Sequence, residues 1–206
     1  MKKISVLVAR VGVLVLALVV SGFAVQMERE SQSVFTFPMM DEDGMEIKPS
    51  MMVDDAAASI TRTSGGVSLA VRAHDLPVGD AVTMWLVAFN HPENCSDGVC
   101  DGNDVMPPPG NLEAGVSVHY LDGRIVSEVG TALFFGTLAN NTSDYALFGP
   151  SVENAFTTEY HIVLRSHGLA SGHHDILQAQ LNSINGGCDP EPPHAPCQDL
   201  QFAVFK

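Results

Sequence analysis

The sequence predicts an all-β protein: a two-layer antiparallel β-sandwich of about seven to nine short strands, delivered behind a secretory leader and stapled by small disulfide loops. Three observations carry this. Apolar and polar residues alternate with period two in several short runs, Gly, Pro, Asn and Asp interrupt the chain every few residues, and no helical pattern is long enough to cross between parallel strands.

The leader comes first. Lys2 and Lys3 form a positive n-region, Val11 to Val20 is almost unbroken Val and Leu, and Ser21-Gly22-Phe23-Ala24 places small residues three and one positions before a cut. That pattern predicts a signal peptide over 1–24, cleaved after Ala24. The competing reading is an uncleaved anchor, since Ile4 to Val25 approaches the ~20 residues that span a bilayer, but Arg10 shortens the run. No later stretch is long and apolar enough to cross, so no membrane span is expected after cleavage. The expected location is periplasmic, cell-surface or extracellular.

Residues 25–58 are polar, acidic and rich in Met, with Pro38 and Pro49, and read as a flexible tether with one short strand at Ser33 to Phe37. The sandwich is expected over 59–206. Val67, Leu69 and Val71 alternate with Ser68, Ala70 and Arg72, which gives a strand with one buried face. Leu76 to Asp80 turns the chain, and Ala81 to Asn90 is apolar enough for a central strand. Val116 to Leu121 and Arg124 to Val129 flank Asp122-Gly123, a strong hairpin signal, and Thr131 to Leu138 follows. Glu159 to His167 alternates again, with Tyr160, Ile162, Leu164 and Ser166 on the core face. Ile176 to Leu181 is a short helix or a strand, and Leu200 to Phe205 is the last strand.

Cys95, Cys100, Cys188 and Cys197 are even in number and all lie beyond the leader. Proximity favours Cys95 with Cys100 and Cys188 with Cys197, each closing a small loop rich in Gly, Pro and Asp. A zinc site built from all four is the rival, but only the first pair has a usual ligand spacing and an exported chain is oxidised.

The formal net charge is −14, and removal of the leader's three positive charges takes it to −17. Beyond residue 58 only Arg62, Arg72, Arg124, Arg165 and Lys206 carry fixed positive charge. Such an excess repels a phosphate backbone, which argues against nucleic-acid binding. No phosphate-cradling Gly-rich loop precedes a helix, so no nucleotide cofactor is expected.

Eight histidines lie in the mature part, and histidine is the commonest metal ligand. His161 and His167 share one strand face but stand roughly 20 Å apart at ~3.3 Å per residue, too far to share an ion. To bind an ion, His167 would therefore have to recruit His173 or His174 from the following loop, or His119 or His91 from a neighbouring strand; the copper or zinc reading takes its ligands from His167, His173 and His174 with His119 or His161. Met39, Met40, Met45, Met51 and Met52 would add thioethers suited to Cu(I). A calcium loop is a further candidate, because Asp97, Asp101, Asn103 and Asp104 cluster hard oxygens among glycines, without the EF-hand register or its closing Glu. No catalytic residue is assigned: there is no Gly-x-Ser-x-Gly elbow, and Ser166-His167 has no acid beside it in sequence.

Three segments, Phe89 to Cys95 (FNHPENC), Glu159 to Gly168 (EYHIVLRSHG), and Gly186-Gly187-Cys188 with Pro196-Cys197-Gln198-Asp199, resemble those of uncharacterised exported bacterial β-rich proteins. The resemblance covers about residues 65–206 and implies that the Cys-bearing loops and the His-rich strand belong to one module. It carries no activity over to this chain. The function expected is thus a non-enzymatic extracytoplasmic binding or structural module for a protein or surface ligand, with no cofactor. The alternative is a metal-binding protein that uses clustered histidines.

Overall fold

The computed structural model describes residues 26–40, 43, 45–143, 146–188 and 197–206. The signal peptide expected over 1–24 lies outside these residues. Among them, no helix is long and apolar enough to cross a membrane.

The chain forms one nine-stranded antiparallel sheet that curls on itself, plus a two-stranded ribbon. Its strands are β1 (Met27–Thr36), β4 (Met52–Thr63), β5 (Gly66–Ala73), β6 (Asp80–Phe89), β7 (Val116–Ile125), β8 (Ala132–Ala139), β9 (Ala146–Phe148), β10 (Glu159–Leu169) and β11 (Gln198–Phe205), while β2 (Met39–Met40) and β3 (Glu46–Lys48) make the ribbon. The order across the sheet is β8-β5-β4-β1-β11-β10-β6-β7-β9, and every paired neighbour is antiparallel. The all-β antiparallel architecture read from the sequence is therefore the observed one. Its two layers are halves of a single curled sheet, brought face to face where β7 approaches β8.

Period two explains which side chains fill the space between the halves. On β6, Val82, Met84, Leu86 and Ala88 point inward, and on β10 Tyr160, Ile162 and Leu164 join them, opposite Ile60 of β4, Leu69 and Val71 of β5, Phe134 of β8 and Phe205 of β11. Each large apolar side chain fully buried there contributes about 1.5–3 kcal/mol. β6 is buried on both faces because Trp85, Val87 and Phe89 belong to a second, outer cluster with Val116, Val118 and the Cys95–Cys100 pair. That double burial is what its largely apolar sequence, interrupted only by Thr83 after Asp80, encodes.

Two expectations are corrected. The stretch 25–58, read as a tether, supplies β1, the β2–β3 ribbon and the start of β4, and a domain start at 59 would cut β4 in two. β1 pairs with β4 over Met27 to Phe35, yet of its ten side chains only Val34 is buried, so the strand is held by main-chain bonds while its residues meet solvent. A composition that tracks burial cannot report such a strand. Asp122-Gly123 is not a hairpin turn either: β7 runs straight through it, with an irregularity in its pairing to β6. Glycine is required there because a Cβ on residue 123 would collide with the Leu181 carbonyl of the packed helix α2 (His174–Asn182). The Asp122 carboxylate accepts from the Gly123 and Phe135 amides, and so ties β7 to β8.

Candidate functional site

The outer face of β6 and β10 carries the most developed group of polar side chains. Antiparallel pairing sets Thr83 opposite Arg165 and Trp85 opposite Val163, and it places His167 one step further along β10. α2 and the turn after it roof this face. Tyr120 donates to the Leu181 carbonyl at 2.6 Å, Arg165 Nε donates to the Ile184 carbonyl at 2.9 Å, and Gln180 Nε2 donates to the His167 and Leu169 carbonyls at 3.1 and 3.0 Å.

His167 is only 2 % exposed beneath this roof. Its Nδ1 lies 2.8 Å from the Gly186 carbonyl oxygen, which can only accept, so Nδ1 carries the proton. Nε2 then accepts from the Thr83 hydroxyl at 2.8 Å, and Thr83 Oγ1 accepts in turn from Trp85 Nε1–H, also at 2.8 Å. The result is a directed chain from indole to hydroxyl to imidazole to carbonyl. Burial pushes the His167 pKa below its ordinary value, the Gly186 contact works against that, and the Arg165 guanidinium adds to the lowering.

Two sulfurs stand beside the same ring. Cys188 and Cys197 are joined, with Cα atoms 5.1 Å apart, and their Sγ atoms lie 3.7 and 3.4 Å from His167 Nδ1. The β10–β11 register explains the approach: Ser166 pairs with Gln198, so Cys197, one residue before β11, falls next to His167. Both disulfides expected from proximity are formed, the other being Cys95–Cys100 with Cα atoms 5.0 Å apart.

The predicted metal ligands are placed differently. Among the described residues the one group of three or more His, Cys, Asp or Glu whose ligand atoms lie within 4.8 Å of one another is His167, Cys188 and Cys197. His119 pairs with Leu86 and points into the inner core, the opposite face from His167; it is fully buried, with Nε2 2.9 Å from Ser117 Oγ and Nδ1 unpartnered. Desolvation lowers its pKa to about 4. His161 shares the outer face but bonds Glu159 at 2.7 Å and packs on Phe89. Burial lowers its pKa although Glu159 pulls it up. His173 precedes α2, and His174 is exposed beside Asp175. Of the methionines, Met39, Met45, Met51 and Met52 are exposed, and the Met40 side chain lies outside what is described.

The candidate calcium loop is held by its own hydrogen bonds. Asp104 is fully buried, and its carboxylate accepts from the Ser96 and Asp101 amides and from Asn111 Nδ2. Burial pushes its pKa up, but these donors outweigh it and hold the carboxyl below its usual value. Asp101 caps the short helix α1 (Gly102–Val105) by accepting from the Asn103 amide, and Asp97 is exposed with φ 54°.

Neither the Thr83–Trp85 pair nor the approach of Cys188 and Cys197 to His167 was anticipated from the sequence. The signal present was the position of Cys197 at the head of the last strand, which becomes informative only once that strand is paired with β10.

The sheet and these two stapled loops define an antiparallel, disulfide-bonded β-scaffold. No protein-family model, curated protein or solved structure matches the chain.

Proposed function

We propose that the protein is an exported β-scaffold that binds a partner protein along the open seam between β7 and β8, a binding role rather than a catalytic one. The observation that carries this reading is an apolar strip left exposed at that seam. Ile125, Leu133 and Phe135 are 49, 55 and 55 % exposed, although they sit on or between strands of a well-buried sheet. Exposed apolar residues that are contiguous, rather than scattered, mark interaction surfaces.

The seam is shaped as well as apolar. A cleft of about 580 Å³ is lined by Ser68, Leu69, Tyr120, Leu121, Phe135 and Thr137, and a separate one of about 470 Å³ by Leu133, Ile125, Arg72, His74 and Arg124. Gly136 lets β8 come this close, since a Cβ there would meet the Leu121 side chain. β8 ends the sheet, but its Phe135 amide is already taken by Asp122 of β7, so a segment laid in the seam would be held chiefly by apolar contact. Export is supported by the two disulfides, which persist in oxidising compartments.

A displayed library of random peptides, selected against the full chain, tests the reading. Selected peptides should carry alternating apolar residues and should bind a Leu133→Ser/Phe135→Ser variant at least about tenfold more weakly, with the melting temperature preserved because both side chains are outside the core. Failure to select any peptide, or equal binding to the variant, would overturn it. A copper or zinc reading is supported only by the approach of His167 to two sulfurs, without a second histidine beside it among the described residues.

A further inference from the structure

We infer that the Cys188–Cys197 corner is a redox-gated zinc site: reduction of this disulfide frees two thiols that bind the ion together with His167 Nδ1. The inference concerns a different site from the seam and stands independently of the partner-binding reading.

The geometry is close to that of a bound ion before any metal arrives. Zn–S bonds of about 2.3 Å and Zn–N bonds of about 2.0–2.1 Å at tetrahedral angles put sulfur and nitrogen roughly 3.6 Å apart and the two sulfurs roughly 3.8 Å apart. The two sulfur to Nδ1 separations are 3.4 and 3.7 Å. Only the sulfurs must separate, which cleavage of their bond allows. With three protein ligands, two of them partly exposed, the fourth position is open to water.

The surroundings of His167 can serve the metal-bound form without leaving a buried group unpaired on the sheet side. Coordination by Nδ1 requires the proton to move to Nε2. Nε2–H then donates to Thr83 Oγ1 at 2.8 Å, the Thr83 hydroxyl turns toward the Arg165 carbonyl oxygen at 3.5 Å, and Trp85 Nε1–H goes on donating to Thr83. An orienting hydrogen bond on the non-ligating nitrogen is the usual companion of a metal-bound imidazole. The group that loses its partner is the Gly186 carbonyl, on the turn that carries Cys188, where Gly187 has φ 71° and the backbone can re-aim.

The chemistry balances with a dithiol as reductant. Its two thiols give two electrons and two protons to the Cys188–Cys197 bond and become a disulfide, while Cys188 and Cys197 become thiols. Zinc then displaces the two thiol protons to solvent, and the imidazole proton moves from Nδ1 to Nε2 without net loss. Oxidation of the pair by a disulfide of lower stability reverses the sequence and expels the ion.

The test uses the full chain with Cys95→Ser and Cys100→Ser, so that one disulfide remains, and Zn²⁺ added in competition with a chromophoric chelator. The reduced protein should bind one equivalent and release two protons, and zinc should shield Cys188 and Cys197 from alkylation. The oxidised protein should bind at least about a hundredfold more weakly. His167→Gln, which keeps hydrogen-bonding atoms at the site, should weaken zinc binding at least about tenfold, and Thr83→Ser, which keeps the hydroxyl, should not. Trp85 fluorescence reports whether each variant is folded. Absence of zinc binding by the folded reduced protein, equal binding when oxidised, or unchanged affinity and thiol protection in folded His167→Gln would each overturn the inference.

Discussion

Thr83 Oγ1 and His167 Nε2 lie 2.8 Å apart and join β6 to β10 through side chains as well as backbone. The same hydroxyl accepts from Trp85, so Thr83→Val strips a partner from two buried groups at once. Each unsatisfied group costs about 1–3 kcal/mol. The expected result is a loss of about 2–4 kcal/mol in urea unfolding, with Thr83→Ser close to the parent. A Thr83→Val protein as stable as the parent would show that the hydroxyl is not the shared partner.

Stability should fall in mild acid because of His119. Burial lowers its folded pKa from 6.5 to about 4, so the unfolded chain takes up the proton first as the pH drops. Its contribution is complete above about pH 6.5 and is lost between there and about pH 4, amounting to about 3 kcal/mol. Burial pushes His161 the same way and steepens the slope. Urea midpoints at pH 7.5 and 4.5 check this: His119→Leu should flatten much of the decline, and a full decline in that variant would locate the titration elsewhere.

Gly123→Val should displace α2 from the sheet. The added side chain meets the Leu181 carbonyl, which is also the acceptor of the Tyr120 hydroxyl bond. Overpacking of this kind costs about 1–3 kcal/mol. Faster proteolysis near residues 174–188 at unchanged β-sheet circular dichroism is the expected signature, and parent-like resistance would count against a close approach.

Disulfides, not bound metal, should hold the oxidised protein's loops. Chelator is expected to leave the melting temperature unmoved, and a dithiol reductant to lower it. Loops closed by sequence separations of 5 and 9 residues are worth about 2–3 kcal/mol each in the chain-entropy account. Calorimetry with each agent separates the two. A large drop with chelator alone would contradict the assignment.

Asp104→Asn should loosen the Cys95–Cys100 loop. The neutral amide loses the charge-assisted bonds from the Ser96 and Asp101 amides and turns donors toward donors. A loss of about 1.5–3 kcal/mol is expected at neutral pH. The difference between the two proteins should shrink as acid protonates the parent's carboxyl, and hydrogen exchange of the Ser96 amide reports it directly.

The residues by themselves determined whatever depends on local pattern. Alternation along Val67 to Val71 and Glu159 to His167 gave strands and their faces, the mostly apolar run of β6 gave a central strand, and nearness in sequence gave both cysteine pairs. Only the tertiary structure decided β1, whose side chains are mostly solvated and whose existence rests on main-chain bonds to β4. It also decided the role of Asp122-Gly123, where the glycine admits α2 rather than turning the chain. The candidate site belongs to the same category: His167, Thr83 and Cys197 come from three strand regions far apart in sequence, and strand register, which local pattern does not encode, sets one beside the other.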